Sequence, residues 1–156
     1  MKKLYPEIEI PETVYIEAVT RGLEKGHEDA QIIKKTMEEE WIRVYKPGEH
    51  FIDRVEEAEK KLGIQLGKGE REAIALAIER EVSLFLTNDE DAYQTGKSLG
   101  LEPKGILYVL LEAVKEGHLS NKEAKESLSQ MLEEGFWLSP KIIHIFHEAL
   151  DRLIKP

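Results

Sequence analysis

The sequence predicts an α/β fold in which a short parallel sheet is covered on both faces by helices. Three observations predict it. Strand-like runs at Glu7–Ile10, Trp41–Tyr45 and Val82–Leu86 alternate with longer segments of helical period. Glycine or proline interrupts the connections, at Gly22, at Lys46-Pro-Gly48 and at Gly67-Lys-Gly69. The 156 residues hold no internal repeat, low-complexity tract or linker, which predicts one domain over 1–156 with room for a real core.

Taken in order, Glu7-Ile-Glu-Ile10 alternates polar and apolar, the period of a brief strand. Pro11 suits a first helical position with Glu12 in the first turn. That helix runs to about Arg21, before Gly22, with Val14, Tyr15, Ala18 and Val19 inward and Glu17 at the edge of the buried face. Gly26 to Glu40 reads as a second helix, with Ala30, Ile33 and Met37 on one side. Trp41–Tyr45 is a strand by composition. Phe51 to Leu62 returns to helical period, with Phe51, Val55, Ala58 and Leu62 inward. Glu56, Glu57, Glu59, Lys60 and Lys61 read as its solvated face.

Past the middle of the chain, Ala92 to Leu99 is helical and Gly100 ends it. Glu102-Pro-Lys-Gly105 reads as a connector. Ile106, Val109, Leu110 and Val114 mark a strongly apolar helix that stops at Gly117. Ser120-x-x-Glu123 is a capping box that opens a helix to Glu134, before Gly135. Ser139-Pro140 sets a cap before a proline at the first helical position. The last helix carries Ile142, Ile143, Phe146, Leu150 and Leu153, and Trp41 and Trp137 read as core residues.

The chemistry concentrates in Leu66–Leu99, an αβα passage with acids at both turns. At 100° per residue, Glu70 lies within about 60° of Ala73, Ile74 and Ala77, whereas Glu72 points nearly the opposite way. A carboxylate on an inward face is costly unless something pairs with it. Asp89 follows the carboxyl end of the Val82–Leu86 strand, the edge at which open α/β sheets place their ligand crevices. Two acids converging there would suit a hard cation. Helix capping explains the same residues: Thr87-x-x-Glu90 is a capping box, Asn88 or Asp89 can cap, and the helix dipole favours an acid in a first turn. On the residues alone both readings stay open.

Composition excludes several classes. A net charge of −9 leaves no global basic field for nucleic acid, so RNA binding would be local or metal-assisted. The absence of cysteine excludes disulfides and thiolate sites. No apolar run reaches the ~18 residues of a membrane span and no signal peptide is visible, which predicts a cytoplasmic protein. Gly67-Lys-Gly69 lacks the rest of a P-loop and reads as a flexible turn. His144 and His147 precede Glu148 and Asp151 on the last helix, but without HExxH or further ligands for zinc. No nucleophile signature appears.

Taken together, five blocks resemble a known family, the PIN domain, the nuclease fold of many prokaryotic toxins. They are PETVYIE (Pro11–Glu17), GEREAIALA (Gly69–Ala77), LFLTNDEDA (Leu84–Ala92), LGL (Leu99–Leu101) and KGILYVLLEAVKEG (Lys104–Gly117). The resemblance spans nearly the whole chain. It implies a PIN-like three-layer fold with a short parallel sheet, and hydrolysis of RNA phosphodiesters assisted by Mg2+ or Mn2+. It assigns Glu17, Glu70 and Asp89 to the second, third and fourth acids of the family's metal site, with Glu72 or Asp91 assisting. A toxin of this type is neutralised by a small antitoxin protein. The alternative is a catalytically degenerate PIN-like module that binds protein or RNA.

The sequence departs from the family pattern at the first acid, which ends a first, central strand. Only ten residues precede Pro11, and the first Asp is Asp29. Tyr93 stands where relatives often carry Arg, and Asn88 where they often carry Asp. A sheet without its central strand would leave unpaired backbone groups on two neighbours. The expectation is that Ile8–Ile10 or another segment fills the gap, or that a second copy does so in a homodimer, and that nuclease activity is weak.

Overall fold

The computed structural model describes residues 1–20, 24, 28–38, 40–82 and 84–153. The chain separates into two compact units, Leu4–Lys104 and Gly105–Pro156. The first unit runs β1 (Ile8–Pro11), α1 (Glu12–Tyr15) continuing into one π-helical turn (Ile16–Thr20), α2 (Glu28–Glu38), β2 (Ile42–Tyr45), α3 (Glu49–Leu62), α4 (Lys68–Glu79), β3 (Phe85–Leu86), α5 (Glu90–Ser98) and β4 (Pro103–Lys104). The helix boundaries expected at Gly22 and Gly26 lie outside the described residues.

The strands are short and parallel, as the α/β reading requires, but they form two pairs. β1 lies beside β2 from Ile8↔Ile42 to Pro11↔Tyr45, and β3 lies beside β4 through Phe85↔Pro103 and Leu86↔Lys104. Helices α1 and α2 make the first crossover and α5 the second, since parallel neighbours cannot be joined by a tight turn. One expectation needs correction. The segment read as a connector, Glu102–Gly105, contains β4; proline is tolerated there because it opens an edge strand. Ile8–Ile10 forms β1 and pairs along one edge with β2.

Helix α4 is the core of this unit. Ile74, Ala75 and Ala77 are buried and pack with Val55 of α3, Leu66, Phe85 of β3 and Ala92 of α5. Glu72, on the other side of α4 from Glu70, is buried as well and pairs with Lys68 at 3.6 Å. Both faces of the helix are therefore covered. Just past its end, Arg80 donates to both oxygens of Glu9 on β1, at 2.7, 2.9 and 3.1 Å, and stacks 4.2 Å over the Tyr45 ring on β2.

Glu59 departs from the solvated face expected for it. It stands one turn beyond Val55, on the same inward face of α3, and only 5% of it is exposed. Its carboxylate accepts from the Leu66 amide at 2.7 Å and from Arg71 at 2.6 and 3.0 Å. Those bonds hold the Glu59 carboxyl below its ordinary range and raise the Arg71 guanidinium.

The second unit holds α6 (Ile106–Lys115), α7 (Asn121–Glu133) and α8 (Pro140–Leu153) around Ala124, Leu128, Phe146 and Leu150. The Ser120–Glu123 capping box forms as expected, with the Ser120 hydroxyl accepting at 3.2 Å and the Glu123 carboxylate at 2.7 Å. Trp137 does not join the core; it is 80% exposed. Ile142 and Leu153 are also exposed, because the buried stripe of α8 follows Ile143, Phe146 and Leu150. No described helix is long and apolar enough to cross a membrane.

Candidate functional site

β1 and β3 border one cavity of about 630 Å3 in the first unit. Consecutive residues line it from each side, 7–11 from β1 and 84–87 around β3. A strand presents alternate side chains to each face, so lining by consecutive residues means that the strand edges border the cavity. Ala73, Leu76 and Ala77 of α4 contribute apolar wall.

Two of the expected acids line this slot. Glu17, on the π-helical turn, and Glu70, in the first turn of α4, both line it. The glycines of the turn before α4 allow the approach. A Cβ built on Gly69 would stand 3.1 Å from a Glu17 carboxylate oxygen and 3.3 Å from Val14 Cγ2. A Cβ on Gly67 would overlap the Glu70 carboxylate. The Gly-x-Gly spacing, read from sequence as a flexible turn, thus marks where two carboxylates fold against backbone. Neither carboxylate has a hydrogen-bond or ion-pair partner among the described residues. The positive end of the α4 dipole lies at the same turn.

Asp89 is placed differently. It is the N-cap of α5, and its Oδ1 accepts from the Ala92 amide at 2.7 Å. Thr87 does not form the box with Glu90; its hydroxyl accepts from the Asp89 amide at 3.2 Å, and Glu90 instead accepts from Gln94. Asp89 is exposed and does not line the slot, although Thr87, two residues before it, does. Neither Glu72 nor Asp91 lines it. On α8, His144 pairs with Glu148 at 3.7 Å and Asp151 with Lys125 at 3.3 Å. Among the described residues no three His, Cys, Asp or Glu side chains form a group that could hold a metal ion.

The Glu17–Glu70 pair fits a magnesium-like ion in donor chemistry. Such an ion takes hard oxygen ligands and is commonly held by one or two carboxylates, its other positions going to water and substrate phosphate. Two carboxylates without a neutralising partner supply that minimum. Sequence alone did not reveal the π-helical turn that carries Glu17; such turns recur at functional sites.

A family model described as a PIN domain matches residues 1–152 of the chain. No curated protein matches it.

Proposed function

The chain belongs to the PIN-domain family, a nuclease-type fold, and from that membership we propose that it is a weak Mg2+- or Mn2+-dependent ribonuclease whose ion is held by Glu17 and Glu70. One observation carries the assignment: both residues line one slot and neither carboxylate has a partner among the described residues. A divalent ion held there would lower the pKa of a bound water and stabilise charge on the phosphate. Glu17 and Glu70 would orient that ion through their oxygens, held in place by the close approach at Gly67 and Gly69. Asp89 caps α5 through Oδ1 and holds the turn whose Thr87 lines the slot, so it is a positioning residue in this reading. A chain with net charge −9 offers RNA no broad basic surface, so the ion and the local backbone amides must supply the attraction.

The same proposal includes a cytoplasmic protein, a toxin role with a small antitoxin partner, and a homodimer. Trp137, Ile142 and Ile145 are large apolar side chains left exposed in the second unit, and a dimer that covered them would remove that surface from water. Sedimentation at micromolar concentration should give a dimer, and a stable monomer would refute that part.

A second reading, a degenerate module that binds protein or RNA without cutting, is favoured by the lack of a three-acid group among the described residues. A Mn2+ titration followed calorimetrically, with cleavage of a labelled RNA in parallel, separates the two. Metal binding and slow metal-dependent cleavage, both lost in Glu70→Gln, support the nuclease. RNA binding with neither metal binding nor cleavage supports the module.

A further inference from the structure

We propose that Glu59, buried on α3, is a positioning residue for the ion site: through Leu66 and Arg71 it fixes the glycine turn that carries Glu70. The inference rests on the reading of Glu17 and Glu70 as the ligands of a divalent ion.

The start of α4 has no side chain of its own to hold it. Gly67 is the N-cap and makes no side-chain cap, and a second glycine follows at Gly69. Glycine loses more backbone freedom on ordering than any other residue, so a turn that contains two depends on what grips it from outside. Glu59 supplies the grip. Its Oε1 accepts from the Leu66 amide at 2.7 Å, just before the turn. Its two oxygens accept from Arg71, just after Glu70, at 2.6 and 3.0 Å. Arg71 also reaches back to the Leu66 carbonyl at 3.5 Å, and its amide donates to the Gly67 carbonyl at 3.1 Å. Glu70 therefore lies between two residues that are tied to one carboxylate, and its own carboxylate folds against Gly67.

Stability alone does not call for this arrangement. Apolar residues of similar volume often replace a buried ion pair without loss. An apolar pair cannot accept from the Leu66 amide, however, and so cannot pin the turn. Ligands work only when held to within about 0.5 Å by the residues behind them, and removing such support typically costs about 10- to 100-fold in metal affinity. Neither Glu59 nor Arg71 lines the slot, so their effect on an ion there passes through the turn.

The test compares two double variants of the full chain, Glu59→Leu with Arg71→Met and Glu59→Gln with Arg71→Gln. Each removes one negative and one positive charge, so the long-range pull on a cation is unchanged. The amide pair keeps an acceptor for Leu66 and the apolar pair does not. Urea unfolding shows that each is folded, calorimetry reads Mn2+ binding, and nitrogen-15 relaxation reads the order of the Gly67–Glu70 backbone without metal. The apolar pair should bind Mn2+ at least about tenfold more weakly, with order parameters in the turn below the ~0.85 of rigid backbone. The amide pair should bind within about threefold of wild type. If the apolar pair does not fold, Glu59→Asp replaces it: the charge stays, the reach to Leu66 is lost, and the same weakening is expected. The role is overturned if the variant without the Leu66 acceptor binds as wild type, or if the amide pair binds no better than that variant. Wild type that binds no Mn2+ overturns the ion site and this role with it, whereas wild-type binding that survives loss of the Leu66 acceptor overturns this role alone.

Discussion

Replacing Glu59 by glutamine tests the buried pair that ties α3 to the start of α4. The carboxylate accepts three bonds, one from the Leu66 amide and two from Arg71. Glutamine keeps one acceptor oxygen but turns an NH2 group toward a guanidinium donor. A hydrogen bond to a charged group contributes about 1.5–3 kcal/mol, and breaking a buried ion pair from one side costs about 3–5 kcal/mol. Arg71 retains a quarter of its side-chain exposure and has Glu56 at 3.7 Å, so its stranded charge is partly relieved. The expected loss is about 2–3 kcal/mol, read by urea unfolding at pH 7 with an unchanged slope. For a chain of this size that lowers Tm by roughly 5–10 °C.

The pH dependence is a second signature of the same pair. The folded carboxyl is held below its ordinary value of 4.5. Its contribution is therefore fully present above that value and is lost as pH falls through the lowered one. The gap between wild type and variant should be constant near neutrality and close as the solution is acidified below about 4.5. A loss under about 0.5 kcal/mol, or a gap that ignores pH, would refute the reasoning. Glu59→Leu combined with Arg71→Met should recover much of the loss, since apolar replacements of a buried pair are often neutral or better.

Thr95 is fully buried on α5 and its hydroxyl has no partner among the described residues; Thr95→Val should raise stability by up to about 1 kcal/mol in the same assay, and a loss would show that the hydroxyl is satisfied. Gly69→Ala should change stability by no more than about 1 kcal/mol, because better helix propensity offsets crowding against Val14. The same change displaces Glu17 and should weaken Mn2+ binding about tenfold in calorimetry; unaltered binding would remove Glu17 from the site. Glu70→Gln should weaken Mn2+ binding more than Asp89→Asn, which keeps a good N-cap; the reverse order in calorimetry would make Asp89 the direct ligand.

What the sequence disclosed was local. Ser120 and Glu123 cap α7 as their spacing requires, and Gly100, Gly117 and Gly135 end helices at φ of +88°, +71° and +93°, where glycine carries no steric cost. Phase put Glu70 on one face of α4 with Ala73 and Ala77, and all three line the slot, but phase gave no sign that Glu72 on the other face would be buried as well. β4 was hidden because two residues have no period, and its pairing is set by β3 rather than by Pro103 and Lys104 themselves. Glu59 was misread because charge outweighed phase: its distance of four residues from Val55 was the available signal, but its partner Arg71 lies twelve residues further along the chain. Asp89 satisfied two chemistries in sequence, and only the Ala92 amide shows which one holds its Oδ1.

The clasp between Arg80 and Glu9 has a consequence for the order in which the chain assembles. The two residues are 71 positions apart, so their contact closes a long loop whose entropy must be met before the contact rewards it. The β1–β2 ladder is short, four residues on each strand, and such a pair is marginal by itself in water. Arg80 reaches across both strands, to Glu9 on one and Tyr45 on the other. During synthesis the first strand pair therefore waits, with little to hold it, until α4 has left the ribosome and its last turn brings the guanidinium over. The N-terminal strand is made early and fixed late.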